Sequence, residues 1–132
     1  MLVDTSVWIH WLQGVETPAT IELDSLLDEA EARVAPVIVQ ELLQGARNET
    51  ELRRLRAEFM GQPMWIPTRE THARAGELYA RCRWQGITIR SPHDCLIAAL
   101  AIEHNDWLLQ EDRDFARLAT VEPALRLWRP DR

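Results

Sequence analysis

Leu2-Val3-Asp4-Thr5-Ser6-Val7-Trp8-Ile9 decides the fold. Two apolar residues end at an acid, and Trp8, Ile9 and Leu12 then fall at helical spacing as far as Gly14. A short, wholly apolar strand that passes straight into a helix is the pattern of a parallel strand buried on both faces. Thr5 and Ser6 are candidate caps for the helix, and Asp4 competes for the same role.

The alternation continues along the chain. Thr17-Pro18 opens a helix to about Ala32, and Val34-Ala35 is a short strand. Pro36 opens a helix from Val37 to about Ala46, followed by a charged helix over Thr50 to Met60 that Gly61 ends. Met64-Trp65-Ile66 is a strand candidate, and Thr68 starts a long helix to about Gln85. Ile87-Thr88-Ile89 is apolar and β-branched, a strand or a loop. Ser91-Pro92 opens a helix to about His104, and Trp107-Leu108-Leu109 reads as a buried strand. A short helix over Arg113 to Leu118 and a strand over Leu125 to Trp128 close the chain. Strands alternating with helices predict an α/β fold with a parallel sheet covered on both faces, in a single domain over 1–132.

The 132 residues suffice for one core, and 46% hydrophobic with 27% charged residues excludes a disordered chain. No apolar run approaches the ~18 residues of a membrane span, and the first residues lack the cationic start of a secretory signal. Cys82 and Cys95 form no CxxC and read as reduced thiols, Cys95 as a buried, inert one in the apolar helix after Asp94, so a cytoplasmic protein with no membrane association is expected. The net charge of −6 excludes a broadly cationic nucleic-acid binder. All basic residues are Arg, and nine of the 15 lie between positions 47 and 90, the one stretch with net positive charge.

Ligands of parallel α/β sheets sit beyond the carboxyl ends of the strands. Asp4 and Asp112 follow two candidate strands closely, Asp94 lies in the first turn of the helix after Ile87–Ile89, and Glu41 lies on the helix after Val34-Ala35. Four carboxylates at one sheet edge repel one another unless a divalent cation joins them, and oxygen ligands suit Mg²⁺ or Mn²⁺. Each acid also has an ordinary use. Asp4 and Asp112 can cap helices, Ser91 and Asp94 have capping-box spacing, and Glu41 can be a solvated acid. No GxGxxG and no GxxxxGK[ST] occurs, which removes nucleotide binding by a Gly-rich phosphate loop. An aspartyl phosphatase needs Asp-x-Asp at the first strand and a Lys. Here Ser6 stands two residues after Asp4, and the chain has no Lys.

Four segments then resemble PIN-domain ribonucleases, specifically the VapC-type toxins of bacterial toxin–antitoxin pairs. The opening stretch is similar to their first motif, Val37-Ile38-Val39-Gln40-Glu41-Leu42-Leu43-Gln44-Gly45 to the second, Ser91-Pro92-His93-Asp94-Cys95-Leu96-Ile97-Ala98-Ala99-Leu100-Ala101 to the third, and Leu108-Leu109-Gln110-Glu111-Asp112-Arg113-Asp114-Phe115 to the fourth. The resemblance implies a three-layer α/β/α, PIN-like (Rossmann-like) domain with a central parallel sheet. It implies a metal-dependent endoribonuclease acting on structured RNA such as transfer or ribosomal RNA. Asp4, Glu41, Asp94 and Asp112 fall on the catalytic and metal-binding acids, with Asp4 and Asp94 as the direct ligands of Mg²⁺ or Mn²⁺. Ser6 matches a hydroxyl supporting the metal shell, and Asp114 matches a further acid that acts through water or orients Arg113. The implied partners are a cognate VapB-type antitoxin, an RNA substrate and a second copy in a homodimer.

Arg90 and Arg47 are candidate phosphate contacts, because Arg binds phosphate in a bidentate manner. His93, beside Asp94, either contacts a metal-bound water or substrate or is a polar helix-start residue. Trp8 and Trp11, at helical spacing, pack in the core or form an apolar patch for a partner. One departure stands out: the family often has Thr two residues before the fourth acid, where this chain has Gln110. The alternative reading is a catalytically inactive PIN-like module that binds RNA or a partner.

Overall fold

The computed structural model describes residues 1–131. Three strands, β1 (Leu2–Val3), β2 (Trp107–Leu109) and β3 (Arg126–Leu127), pair in parallel in the order β1-β2-β3. Beyond β1 the layer continues through single parallel bridges, Leu2 with Arg33 and Val34 with Met64. The expected strands at Val34-Ala35 and Met64–Ile66 thus shrink to bridge positions. Pro36 starts a helix immediately after Val34-Ala35, which leaves no room for a longer ladder. Ile87–Ile89 forms no strand, although Ile89 is buried. Apolar β-branched composition there serves packing rather than pairing.

Seven helices cover the layer: α1 (Thr5–Leu12), α2 (Pro18–Asp28), α3 (Pro36–Gln44), α4 (Glu49–Met60), α5 (Arg69–Trp84), α6 (Pro92–Glu103) and α7 (Arg113–Val121). The chain moves from β1 outward to Met64, then returns to the other side of β1 for β2 and β3. Right-handed crossovers in opposite directions put α1–α4 on one face and α5–α7 on the other. The contacts agree: α1 packs on α2 and α3, and α3 on α4, whereas α5, α6 and α7 pack on one another. This is the expected three-layer α/β/α arrangement.

Local chemistry places the helix ends. Thr17 and Thr68 form capping boxes with Thr20 and Thr71. Asp4, not Thr5 or Ser6, is the N-cap of α1, and Asp112 is the N-cap of α7. Ser91 occupies the N-cap position of α6 without a side-chain cap bond, so the Ser91–Asp94 capping box does not form and Asp94 is released from that use. α2 stops at Asp28, short of Ala32, where Ala30 takes a positive φ of 58°. α7 runs past Leu118 to Val121.

The core gathers Leu2, Val3, Leu108 and Leu109 from the strands with Leu23, Ile38, Phe59, Ile97, Leu100 and Phe115 from the helices. Trp8 belongs to it, fully buried and edge-on to Phe59 and Trp11 at 5.0 and 5.6 Å. Trp11 is half-buried, its indole N–H donating to Asp24 at 2.9 Å. The neighbours Ile9 and Leu12, rather than the tryptophans, form the exposed apolar part of α1.

Candidate active site

The topology reverses at β1: the chain leaves it toward Arg33–Val34, while β2 lies on its other edge. A crevice opens at the carboxyl ends of such strands. The Asp4 backbone N–H donates to the Leu109 carbonyl at 2.9 Å, locking the ends of β1 and β2 together. Asp4, Thr5, Ser6, Ile9, Glu41, Arg90, Ser91, Asp94 and Asp112 line a pocket of about 330 Å³ there. All four acids singled out in the sequence meet in this pocket. Asp94 arrives from the loop at Ile87–Ser91 and the first turn of α6, not from a strand end.

Each carboxylate is held differently. The Ser6 backbone N–H and hydroxyl both donate to Asp4 Oδ2, at 3.0 and 2.6 Å, and no side-chain donor among the described residues engages Oδ1. The Ser6 hydroxyl accepts in turn from the Glu111 backbone N–H at 3.0 Å. Asp112 Oδ1 accepts from the Asp114 backbone N–H at 2.9 Å and from Arg90 Nη2 at 2.9 Å, which leaves Oδ2. The Thr5 hydroxyl donates to Glu41 Oε1 at 2.7 Å, and His93 Nδ1 lies 3.4 Å from Glu41 Oε2. Asp94 is 7% exposed, and no donor among the described residues reaches its carboxylate.

These surroundings shift the acids. Burial, then the charges of Asp4, Asp112, Glu41 and Asp114, push Asp94 up to about 8. Burial raises Asp4 to about 6, with Ser6 pulling against it and Glu41 adding to the rise. Two adjacent carboxylates with raised values and open oxygens fit a divalent cation held by oxygen ligands. Asp94, Asp112 and Asp114 each place one oxygen within 4.8 Å of the others. Asp114 is nonetheless unsuited to be a ligand. It is 1% exposed, its Oδ2 accepts from the Arg90 backbone N–H and Nε, both at 3.1 Å, and its Oδ1 from Arg117 Nη1 at 3.3 Å. Burial opposes its ionisation, but the Arg90 and Arg117 bonds prevail and hold its carboxyl below the usual range.

Three expectations change here. Asp114 orients Arg90, not Arg113: the α7 start points it inward at the 87–90 loop, which Arg117 also grips through the Thr88 carbonyl at 2.9 Å. Arg90 lines the pocket, but two of its nitrogens are committed to Asp112 and Asp114. Arg47 is absent from the acidic pocket. It pairs with Glu51 one turn along at 3.1 Å and faces a neighbouring groove with Arg54, Ile9, Leu12 and Glu41. Gln110 Oε1 accepts the Asp112 backbone N–H at 2.8 Å and so supports the turn that carries the fourth acid. Cys82 and Cys95 are buried, and burial pushes the Cys95 thiol up to about 12, which makes it inert at neutral pH.

Thr5, Gln110 and Arg117 hold site residues and were not among the candidates. The position of Thr5, directly after Asp4, and that of Gln110, two residues before Asp112, carried a signal, whereas Arg117 carried none. The partner of Thr5, Glu41, is 36 residues away, beyond any local pattern.

The PIN domain family model matches residues 1–121. The chain is 34% identical over 124 residues to "VapC ribonuclease Mb1587" of Mycobacterium bovis and to "Ribonuclease VapC11" of Mycobacterium tuberculosis, covering 92% of this chain and 92% of each relative. Among solved structures, VapBC2 from Rickettsia felis, bound to a DNA fragment from its promoter, superposes with a TM-score of 0.72 at 20% identity, covering 96% of both chains. VapBC-1 from nontypeable Haemophilus influenzae gives 0.73 at 19% identity, covering 99% of this chain and 98% of the other.

Proposed function

The chain belongs to the PIN-domain family, and from that premise we propose that it is a metal-dependent endoribonuclease, the toxin of a VapBC-type toxin–antitoxin pair. The observation that carries the chemistry is Asp94, a buried carboxylate with no donor, facing Asp4, Glu41 and Asp112. Asp4 through Oδ1, Asp94, and Asp112 through Oδ2 would hold Mg²⁺ or Mn²⁺. Glu41, fixed by Thr5, would act beside them on a water or on the ion's hydration shell. When bound, the ion supplies charge stabilisation at the phosphodiester and an activated water.

The residues of the chain do the rest. Ser6 fixes the Asp4 carboxylate by two bonds to one oxygen and anchors it to the β2–α7 turn through Glu111. The backbone N–H groups at the start of α6 favour an anionic substrate beside Asp94. Arg90 keeps Nη1 unpartnered among the described residues and would offer it to an RNA phosphate. Arg47 and Arg54 would contact RNA more distantly, along the groove adjoining Glu41. Attack of water on phosphorus with the 3′ oxygen as leaving group would break the P–O3′ bond, give a 5′-phosphate and a 3′-hydroxyl, and require no attack by the 2′-hydroxyl.

Structured RNA, transfer or ribosomal, is the proposed substrate, and a VapB-type antitoxin the proposed inhibitor. The exposed Ile9 and Leu12 at the rim of the Arg47–Glu41 groove offer that antitoxin an apolar contact. A homodimer in the cytoplasm completes the reading. No helix among the described residues is long and apolar enough to cross a membrane. The inactive-module alternative rested on Gln110, and that side chain supports the Asp112 turn instead of disrupting it.

The test is cleavage of bulk transfer RNA and ribosomal RNA with Mg²⁺ or Mn²⁺ by the purified chain, with RNA 5′ ends mapped. Asp4→Asn and Asp94→Asn are expected to abolish cleavage while remaining folded. Undiminished cleavage by either folded variant would overturn the assignment, and a monomer by light scattering would remove the dimer.

A further inference from the structure

Arg90 is tethered at one end and exchangeable at the other. Its backbone N–H and Nε both donate to Asp114 Oδ2 at 3.1 Å, and Asp114 is 1% exposed and held from its far side by Arg117. The other end, Nη2, reaches Asp112 Oδ1 at 2.9 Å, where both partners are open to solvent. A buried carboxylate cannot exchange a guanidinium for water without a large penalty, whereas a solvent-facing ion pair breaks at little cost. The pair Arg90–Asp112 is therefore the labile contact of the network.

We infer that Arg90 is a built-in counter-ion of the fourth acid: anchored on Asp114, its guanidinium holds Asp112 Oδ1 and its charge opposes a divalent cation at Oδ2. This inference rests on the proposed metal site. Asp114 is then a positioning residue, acting through Arg90 rather than on the cation. The positive charge of Arg90 beside Asp112 weakens cation binding at that acid, and a cation bound there weakens the hold of Asp112 on Arg90, because linkage is reciprocal. The Asp114 anchor keeps the guanidinium at the pocket rim when its contact with Asp112 loosens.

The experiment is Mn²⁺ titration of the metal-free full chain in neutral buffer, by calorimetry or by the electron paramagnetic resonance of free Mn²⁺, with no RNA present. Arg90→Gln leaves Asp114 its Arg117 partner and the residue-90 backbone N–H, so the fold has no new orphaned charge. Mn²⁺ affinity is expected to rise by about tenfold, from removal of a nearby positive charge. Arg90→Met, which keeps an uncharged stem, is expected to do the same. In an Asp112→Asn background, Arg90→Gln is expected to change affinity by less than about twofold, because the effect needs the Asp112 carboxylate. Unchanged affinity in both Arg90 variants, or a gain that persists in full without Asp112, overturns the inference and leaves the nuclease reading intact. Failure of the unaltered chain to bind Mn²⁺ overturns the metal site itself, and this inference with it.

Discussion

Asp94 sets the terms at the scale of single residues. Its carboxyl is pushed up to about 8, against about 3.9 for an unfolded aspartate. Between those values the metal-free native state holds a proton that the unfolded state has released. Stability of the metal-free protein therefore falls as pH rises from about 4 toward 8. Asp94→Asn removes that loss. Urea unfolding in EDTA is expected to find the variant more stable than the parent by about 1–3 kcal/mol at pH 8, with the difference shrinking at pH 5. No gain at pH 8 would mean that neither burial nor the neighbouring acids oppose ionisation of Asp94. Thr5 is a second residue-scale test. Thr5→Val keeps its shape and removes the 2.7 Å bond to Glu41. Cleavage is expected to fall by roughly tenfold or more in kcat, on the scale of a hydrogen bond to a charged group. RNA binding and melting temperature should change little. A rise in KM with unchanged kcat would place Thr5 in substrate binding instead.

At the scale of the element, helix capping and chemistry share the same acids. Asp112 caps α7 through the Asp114 N–H and faces the pocket with its second oxygen. The two roles separate by substitution. Asp112→Ser retains a capping oxygen, so it should keep the melting temperature within a few degrees and abolish cleavage. Asp112→Ala should lose both, with about 1 kcal/mol of stability from the missing cap. Equal melting temperatures for the Ser and Ala variants would deny the cap any weight. Much of the element level was legible along the chain. Helix starts at Thr17-Pro18, Pro36, Thr68 and Ser91-Pro92 were marked by residues whose effect is local, because a cap or a proline acts within one turn. The strands at Val34 and Met64 were overdrawn, since apolar composition reports burial and only pairing partners decide a ladder. The capping box at Ser91–Asp94 failed for a related reason: spacing permits the bond, but Asp94 faces the pocket.

Across the whole molecule, folding concentrates negative charge at one end of the sheet, and cation binding should be linked to stability. Asp4 and Asp94, raised to about 6 and about 8, are more fully ionised at pH 8 than at pH 6. A divalent ion must displace fewer protons at the higher pH. Saturating Mn²⁺ is therefore expected to raise the melting temperature more at pH 8 than at pH 6, by roughly 3 °C or more, in scanning fluorimetry at fixed ionic strength. Equal shifts at the two pH values would uncouple the ion from these acids. The same view revises the meaning of the net charge of −6. Part of it lies in the acidic pocket, where a bound cation would offset it. Several of the Arg residues between 47 and 90 are occupied by Glu partners, as in Arg47–Glu51, Arg74–Glu70 and Arg81–Glu77, and Arg90 is occupied by the site's own acids.

By itself the sequence determined the chemical inventory and its order: Asp4, Glu41, Asp94 and Asp112 at the ends or starts of elements, in an α/β alternation that brings such positions to one sheet edge. Local periodicity and capping suffice for that, because they act over a few residues and the handedness of parallel crossovers does the rest. Only the tertiary structure decided which oxygen of each acid is fixed and which is open. Thr5 meets Glu41 across 36 residues, Arg90 meets Asp114 across 24, and Glu111 meets Ser6 across 105. No spacing rule reaches that far. Hydrogen-bond geometry at the site depends on how α1, α3, α6 and α7 pack around β1 and β2, and core packing sets that.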